Sequence, residues 1–278
     1  MMRTHLDKAI WAIALLVMLG FTGTAGAFDG DCSASFSDPV KFTDNQYTEC
    51  FTDVRRGADI NDNNAPDLGG TGHTALNFTG GAGPAGNTWL TKFTPNGSTL
   101  ICAAALPLGI AVQADVLIHT FNNTKGAGLV ALLDSAPGGK GLALILYDQG
   151  NSDALQLATI APATGKLGKL QSVSLGAGIA ENAWYRLQML VRVVAGNIVL
   201  VDATVARHVA PTDPNSPVSP AFGALVFGGR LSALGLEDSG EVGIAASAFS
   251  TNVNSSVTNW SLGLCSAPPV SCFEESCS

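Results

Sequence analysis

An all-β fold of many short antiparallel strands, built as a sandwich or a barrel, is what this sequence predicts, and three observations predict it. Beyond the N-terminal leader no segment sustains a helical period. Glycine supplies 32 of the 278 residues, and Gly-Asn and Asn-Gly pairs break up short apolar runs throughout. Within those runs apolar residues recur at every second position, the period at which strand side chains share a face.

The first 27 residues read as a signal for export. Arg3 and Lys8 give a positive start, residues 9–20 are apolar, and Ala25-Gly26-Ala27 is a small-residue cleavage site. Gly20, Thr22, Gly23 and Thr24 interrupt the apolar run before it reaches the roughly 20 residues a membrane span needs. No later segment has 18 consecutive apolar residues, so no membrane span is expected after cleavage. Removing 27 of the 278 residues leaves 251, the length of one large all-β domain. That domain is expected over 28–264, with a Cys-containing tail at 265–278. The expected location is secreted or extracellular, in a periplasm or at a cell surface.

Residues 111–120 alternate cleanly, with Val112, Ala114, Val116 and Ile118 on one face and Gln113, Asp115, Leu117 and His119 on the other. The first set is expected to meet the core. Leu142, Leu144 and Leu146 make a second stripe, which ends at Tyr147. Residues 184–205 read as a hairpin with Tyr185, Leu187, Met189, Val191 and Val193 on one face. A two-residue Gly196-Asn197 loop would set Val191 opposite Asp202 and bury a carboxylate. A three-residue Ala195-Gly196-Asn197 loop pairs Val193 with Val199, Val191 with Val201 and Met189 with Ala203. It also keeps Arg192 and Asp202 outward, so this is the register expected, with positive φ at Gly196 or Asn197.

Pro211, Pro214, Pro217 and Pro220 then follow at intervals of three, the spacing at which polyproline II presents one edge. They mark a loop, read either as a stiff connector or as a lid over a groove. Strand character returns over 241–249 and 257–264.

Cys32, Cys50, Cys102, Cys265, Cys272 and Cys277 all lie beyond the leader, and an even count in an exported chain points to three disulfides. The expected pairing is Cys32 with Cys265, Cys50 with Cys102 and Cys272 with Cys277. A zinc site would want a C-x2-C pair, and there is none.

Loss of Arg3, Lys8 and Asp7 with the leader takes the chain from 14 basic and 22 acidic side chains to 12 and 21, a net charge of −9. An acidic chain without a Lys/Arg cluster is a poor partner for phosphate backbones, so nucleic acid is not an expected partner. Charged residues make up only 13% of the chain, against about 25% in an ordinary soluble domain. The neutral polar exterior that results suits uncharged ligands, and equally suits self-association.

The succession W-Y-R-L-Q-M-L-V-R-V-V-A-G-N-I-V-L-V-D-A-T-V at 184–205, G-E-V-G-I-A at 240–245 and V-T-N-W-S-L at 257–262 resembles the concanavalin A-like lectin/glucanase superfamily, and laminin G-like domains show the same order. The resemblance covers residues 76–264. It implies an all-β, two-sheet antiparallel jelly-roll sandwich whose concave face often carries ligands. Trp184, Tyr185 and Trp260 are then expected to be structural, because aromatic rings dominate core burial.

The catalytic strings of that superfamily have no counterpart here. Glucanases carry E-x-D-x-x-E or E-x-D-x-E on one strand, since retaining hydrolysis needs two carboxylates about 5 Å apart. In this chain Glu49, Glu181, Glu237, Glu241, Glu274 and Glu275 are dispersed, which leaves Asp115, Asp148 and Asp202 as carboxylates that the fold could bring together. The R-x-E-x-R and Q-x-H strands of alginate lyases are absent. The acidic metal-binding strand of legume lectins is matched only in shape, at 113–123.

The candidate ligand-binding set is Trp89, His119, Asn122, Asn123, Tyr147, Asp148 and Asn151. Trp89 sits beside glycines and reads as a loop-edge residue, able to cap the sandwich or to stack on a sugar. His119 reads as a strand end, and Asn122 and Asn123 as a turn. The candidate metal set is Asp59, Asn61, Asp62, Asn63 and Asp67. Oxygens at alternate positions suit Ca2+, although Asn and Asp are also ordinary turn residues and the EF-hand pattern fails at its glycine and its terminal glutamate. No other cofactor is expected. Sequons stand at Asn77, Asn96, Asn122, Asn254 and Asn259.

The function expected is a secreted, non-catalytic binding module for carbohydrate or another surface polymer. One rival is a structural or surface-assembly protein that buries outward Leu117, Leu190 and Leu200 against another subunit. The other is a glycan-degrading hydrolase or lyase with an unfamiliar site.

Overall fold

The computed structural model describes residues 51–55, 59–61, 76–80, 87–93, 101–102, 109–118, 125–148, 152–176, 178–180, 182–248 and 253–264. Their alternating sequence forms strands β1 (Phe51–Arg55), β2 (Asp59–Asn61), β3 (Leu76–Gly80), β4 (Asn87–Phe93), β5 (Ile101–Cys102), β6 (Ile110–Ile118), β7 (Lys125–Leu133) and β8 (Gly141–Asp148). They continue as β9 (Asp153–Ala161), β10 (Lys166–Gly176), β11 (Trp184–Val194), β12 (Ile198–Arg207), β13 (Gly223–Arg230), β14 (Ser239–Ala248) and β15 (Val253–Leu264). Among the described residues the one α-helix is a single turn, α1 (Leu231–Leu234), ended by Gly235 at φ 67. None is long and apolar enough to cross a membrane.

The strands form two sheets. The first runs β1-β4-β14-β7-β8-β9-β10, with β5 joined to β14, and the second runs β13-β12-β11-β6-β15-β3-β2. Every ladder is antiparallel. The fold is therefore the all-β, two-sheet antiparallel jelly-roll sandwich expected.

The predicted stripes meet between the sheets. Val112, Ala114, Val116 and Ile118 of β6 share one continuous core with Leu142, Leu144 and Leu146 of β8. Tyr185 and Trp260 join that core, and Trp260 meets the Phe51 ring edge-on at 5.2 Å and the Phe93 ring at a tilt at 4.5 Å. Trp184 is also buried, but alternation turns it to the other face of its sheet.

Strands β7 and β8 are buried along their whole length. Their second face contributes Val130, Leu133, Ala143, Ile145 and Tyr147 to a separate apolar cluster. Small residues let these strands approach: a Cβ on Gly128 would lie 1.8 Å from the Leu144 carbonyl oxygen.

The hairpin of β11 and β12 has the expected register. Val193 pairs with Val199, Val191 with Val201 and Met189 with Ala203. Gly196 and Asn197 both take positive φ, 83 and 55, where glycine and asparagine are the tolerated residues. Arg192 and Asp202 point outward and bond at 2.6 Å.

Three expectations are corrected. Trp89 is not at a loop edge, for it lies within β4, paired with Ala246 of β14. Its Gly-rich flank hid a strand that is completed by a partner far along the chain. Leu117 and Leu190 do not form an outward apolar surface, because both are 4% exposed within this chain and Leu200 is partly buried. The large apolar side chains that are exposed among the described residues are Val209, Phe222 and Val226. The proline segment is a succession of tight turns rather than polyproline II, since Asp213 N–H donates to the Ala210 carbonyl and Ser216 N–H to that of Asp213.

The leader, the tail at 265–278, His119, Asn122, Asn123, Asn151, Asp62, Asn63 and Asp67 lie outside the described residues. So do all cysteines except Cys102, which stands in β5.

Candidate functional site

Two described members of the candidate ligand set, Tyr147 and Asp148, close β8 and are 0% and 2% exposed. Neither offers a surface to a ligand in this conformation. Burial pushes the Tyr147 phenol up to about 12, opposed by a hydrogen bond with Ser247. Asp148 lies opposite Lys125 in the β7–β8 ladder. Burial lowers the pKa of Lys125, and the Asp148 charge partly offsets that. In the candidate metal set, Asp59 and Asn61 belong to β2, paired with Thr79 and Asn77 of β3, so that segment begins as a strand and not as a loop.

Asp115, Asp148 and Asp202 do not converge. Asp148 is on the first sheet, and the other two are on the second. Asp115 pairs across to Arg186 of β11, and Asp202 of β12 to Leu190 of the same strand, four residues farther along.

The chemistry gathers instead on the face of the second sheet turned away from the core, where β15, β6, β11 and β12 lie side by side. Because the core takes Val112, Ala114 and Val116, alternation turns Gln113 and Asp115 out; by the same rule β11 presents Arg186, Gln188 and Arg192, and β12 presents Asp202 and Thr204. Cross-strand register then builds two rows.

In the first row Ser261, Gln113, Gln188 and Thr204 stand opposite one another in turn. Thr204 Oγ1 donates to Gln188 Oε1 at 3.4 Å, and Gln188 Nε2 donates to Gln113 Oε1 at 3.1 Å. The relay ends on the Gln113 amide nitrogen, a donor pair open to a further acceptor. Gln113, Gln188 and Thr204 are all partly exposed.

The second row is Thr258, Asp115 and Arg186. Arg186 grips Asp115 with both arms, Nε to Oδ1 and Nη2 to Oδ2, each at 2.8 Å. Asp115 is fully buried, whereas the Arg186 side chain keeps 26% of its surface. Asn259 Nδ2 adds a donor to Oδ2 at 2.8 Å, and His208 Nε2 lies 2.9 Å from Oδ1. A β-bulge supplies the Asn259 contact. Between Thr258 and Ser261 strand β15 gains one residue over β6, and Asn259 takes φ 51, so its amide reaches Asp115 while Trp260 stays in the core. Buried and engaged in this way, Asn259 is closed to glycosylation in the folded chain.

The proline segment, residues 209–219, crosses this second row as a strap. Trp184 N–H of β11 donates to the Pro211 carbonyl at 2.7 Å, and Asn259 Nδ2 of β15 to that of Pro214 at 3.1 Å. The Ser216 carbonyl meets His208 Nδ1 at 2.8 Å. Ser219 N–H returns to the Arg207 carbonyl at 2.8 Å, which closes the loop. Just beyond, Phe222 lies 5.8 Å from the Tyr185 ring.

Sequence reasoning turned Gln113, Asp115, Arg192 and Asp202 outward but did not assemble the rows. Of the missed members, Arg186, Gln188 and Thr204 carry one readable signal, polar residues at alternate positions of strands otherwise mostly apolar, whereas His208 lies just past β12 and Asn259 in the bulge of β15, where alternation does not apply.

No protein-family model and no curated protein matches this chain. Among solved structures it is similar to the lectin UEA-II complexed with galactose, at 10% identity over 82% of this chain and 98% of the other, with a TM-score of 0.47. It is also similar to the carbohydrate-binding module CBM66 from Bacillus subtilis, at 9% identity over 77% and 94% of the two chains, TM-score 0.45. The PL-14 alginate lyase from Aplysia kurodai is similar at 11% identity over 84% and 98%, TM-score 0.47. The similarity is one of fold alone.

Proposed function

We propose that this chain is a secreted, non-catalytic binding module for carbohydrate or another hydroxyl-rich surface polymer, which lies along the outer face of the second sheet. The row Gln113, Gln188 and Thr204 is the observation that carries this reading. Each of these groups both donates and accepts, each is partly exposed, and the relay fixes their orientation before any ligand arrives. Adjacent members stand one strand apart, about 4.8 Å. A hydroxyl-bearing polymer can bond to such a row without bringing a charge into it.

The carboxylates of this face support a binding role over hydrolysis. Asp115 is held by Arg186 and Asp202 by Arg192, and they sit on strands separated by β11, far beyond the pair distance of about 5 Å used in retaining hydrolysis.

The test is a panel of neutral and acidic polysaccharides titrated calorimetrically against the cleaved protein, with Gln113→Ala and Gln188→Ala as variants. Each substitution is expected to weaken binding about fivefold, the effect of one net hydrogen bond of roughly 1 kcal/mol. Binding that neither variant alters would place the ligand elsewhere, and release of reducing ends or unsaturated products would replace the reading with an enzymatic one.

A further inference from the structure

We propose that the strap over 209–219 is a proton-gated cover, shut while His208 is doubly protonated and released when the ring loses a proton. The argument is one of donors and acceptors. Asp115 already receives three protein donors, Arg186 Nε–H on Oδ1 and Arg186 Nη2–H with Asn259 Nδ2–H on Oδ2. A carboxylate in that setting is ionised and brings no proton of its own to His208 Nε2, so the ring must donate there. The other ring nitrogen, Nδ1, faces the Ser216 carbonyl, which has no proton to give. Both contacts are therefore satisfied only by the imidazolium.

In the neutral ring one nitrogen would turn a lone pair toward an oxygen. The side chains of His208 and Asp115 are 0% exposed, so water is not at hand to relieve that clash. The charged groups around the ring are Asp115 from β6 and Arg186 from β11, with Arg207 preceding it on β12 and Asp213 in the strap; β15 contributes the uncharged Asn259. Arg186 and Asp115 neutralise each other, and the strap meets the ring through a carbonyl, so its closure depends on the ring proton.

The strap binds the backbone of Trp184 through the Pro211 carbonyl, which accepts from Trp184 N–H, while His208 N–H at the end of β12 donates to the Trp184 carbonyl. Trp184 is 1% exposed and lies on the strap's face of the sheet, next to Leu117. Opening would uncover an indole beside Arg186.

The test is hydrogen exchange of the cleaved protein, read from pH about 5 to about 8 and corrected for intrinsic base catalysis. The amides of Val209, Asp213, Ser216 and Ser219 are expected to gain exchange about tenfold per pH unit once the ring begins to deprotonate, as release of one proton requires. The β11–β12 hairpin amides are expected to hold. Trp184 emission should shift to the red over the same range, and Trp184→Phe should remove that shift. His208→Gln, with no proton to lose, should abolish the pH response.

Equal strap protection at both ends of the range, or an unchanged pH response in His208→Gln, would overturn the proposal. Should that variant fail to fold, nitrogen shifts of the wild-type ring decide: a neutral ring beneath a protected strap would also overturn it. None of these readouts involves a glycan, so the gate and the ligand assignment stand or fall separately.

Discussion

Asp115 and Asp202 are both outward carboxylates paired with arginine, and they differ in worth because they differ in burial. Asp115→Ala would leave Arg186 and the His208 ring without their shared anion in a dry site, and is expected to cost roughly 3–5 kcal/mol in a denaturant titration. Asp202 and Arg192 keep 34% and 30% of their side-chain surface, so Asp202→Ala should cost at most about 1 kcal/mol. Tyr147 supplies a pH-dependent case. Its phenol titrates at about 12 in the fold and near 10 when unfolded, so the fold favours the protonated form. That contribution is complete below pH 10 and lost as pH rises from 10 to 12. A spectrophotometric titration should show Tyr147 ionising late, together with Tyr185, whose phenol burial also raises, and about 3 kcal/mol of the Tyr147 contribution should be lost over the interval. The outward direction of Asp115 was legible in the alternation of its strand. Its burial was not, because its partners Arg186, His208 and Asn259 lie 71, 93 and 144 positions away.

At the level of elements, the β11–β12 hairpin was legible to the residue because a one-residue slip would have moved Asp202 into the core. The strap was legible only as a loop: proline spacing declares that a segment leaves the sheet, and says nothing of where it crosses. Trp89 shows the converse, for β4 is a strand by virtue of β1 and β14, neither adjacent in sequence. Close contact between β7 and β8 yields a sharp expectation. Gly128→Ala would drive a methyl into the Leu144 carbonyl and separate the two strands, at a cost of at least about 3 kcal/mol or with loss of soluble protein. Gly138→Ala, at φ 88 with nothing within 4 Å, bears only the strain of its backbone, about 1 kcal/mol. Thermal melts of the two variants separate close approach from backbone freedom.

For the whole molecule, composition and architecture agree that charge is not the organising force. With 13% charged residues and a row of amides and hydroxyls on its polar face, binding of the proposed polymer should have an affinity that changes less than about twofold between 0.05 and 1 M salt. A steep salt dependence, measured by calorimetry, would indicate an ionic ligand in place of a neutral one. The fold class was legible from period and punctuation, whereas the site was not, since it is assembled from four strands whose order in the sheet differs from their order in the chain.

That ordering also bears on how the protein comes into being. Strand β6 lies between β11 and β15, and β7 between β8 and β14, so the middle of each sheet waits for strands from the last part of the chain. Thr88 and Ser247, which meet across β4 and β14, are 159 positions apart. Neither layer can close on a nascent chain until β14 and β15 have been made, and pairings this distant are slow to find.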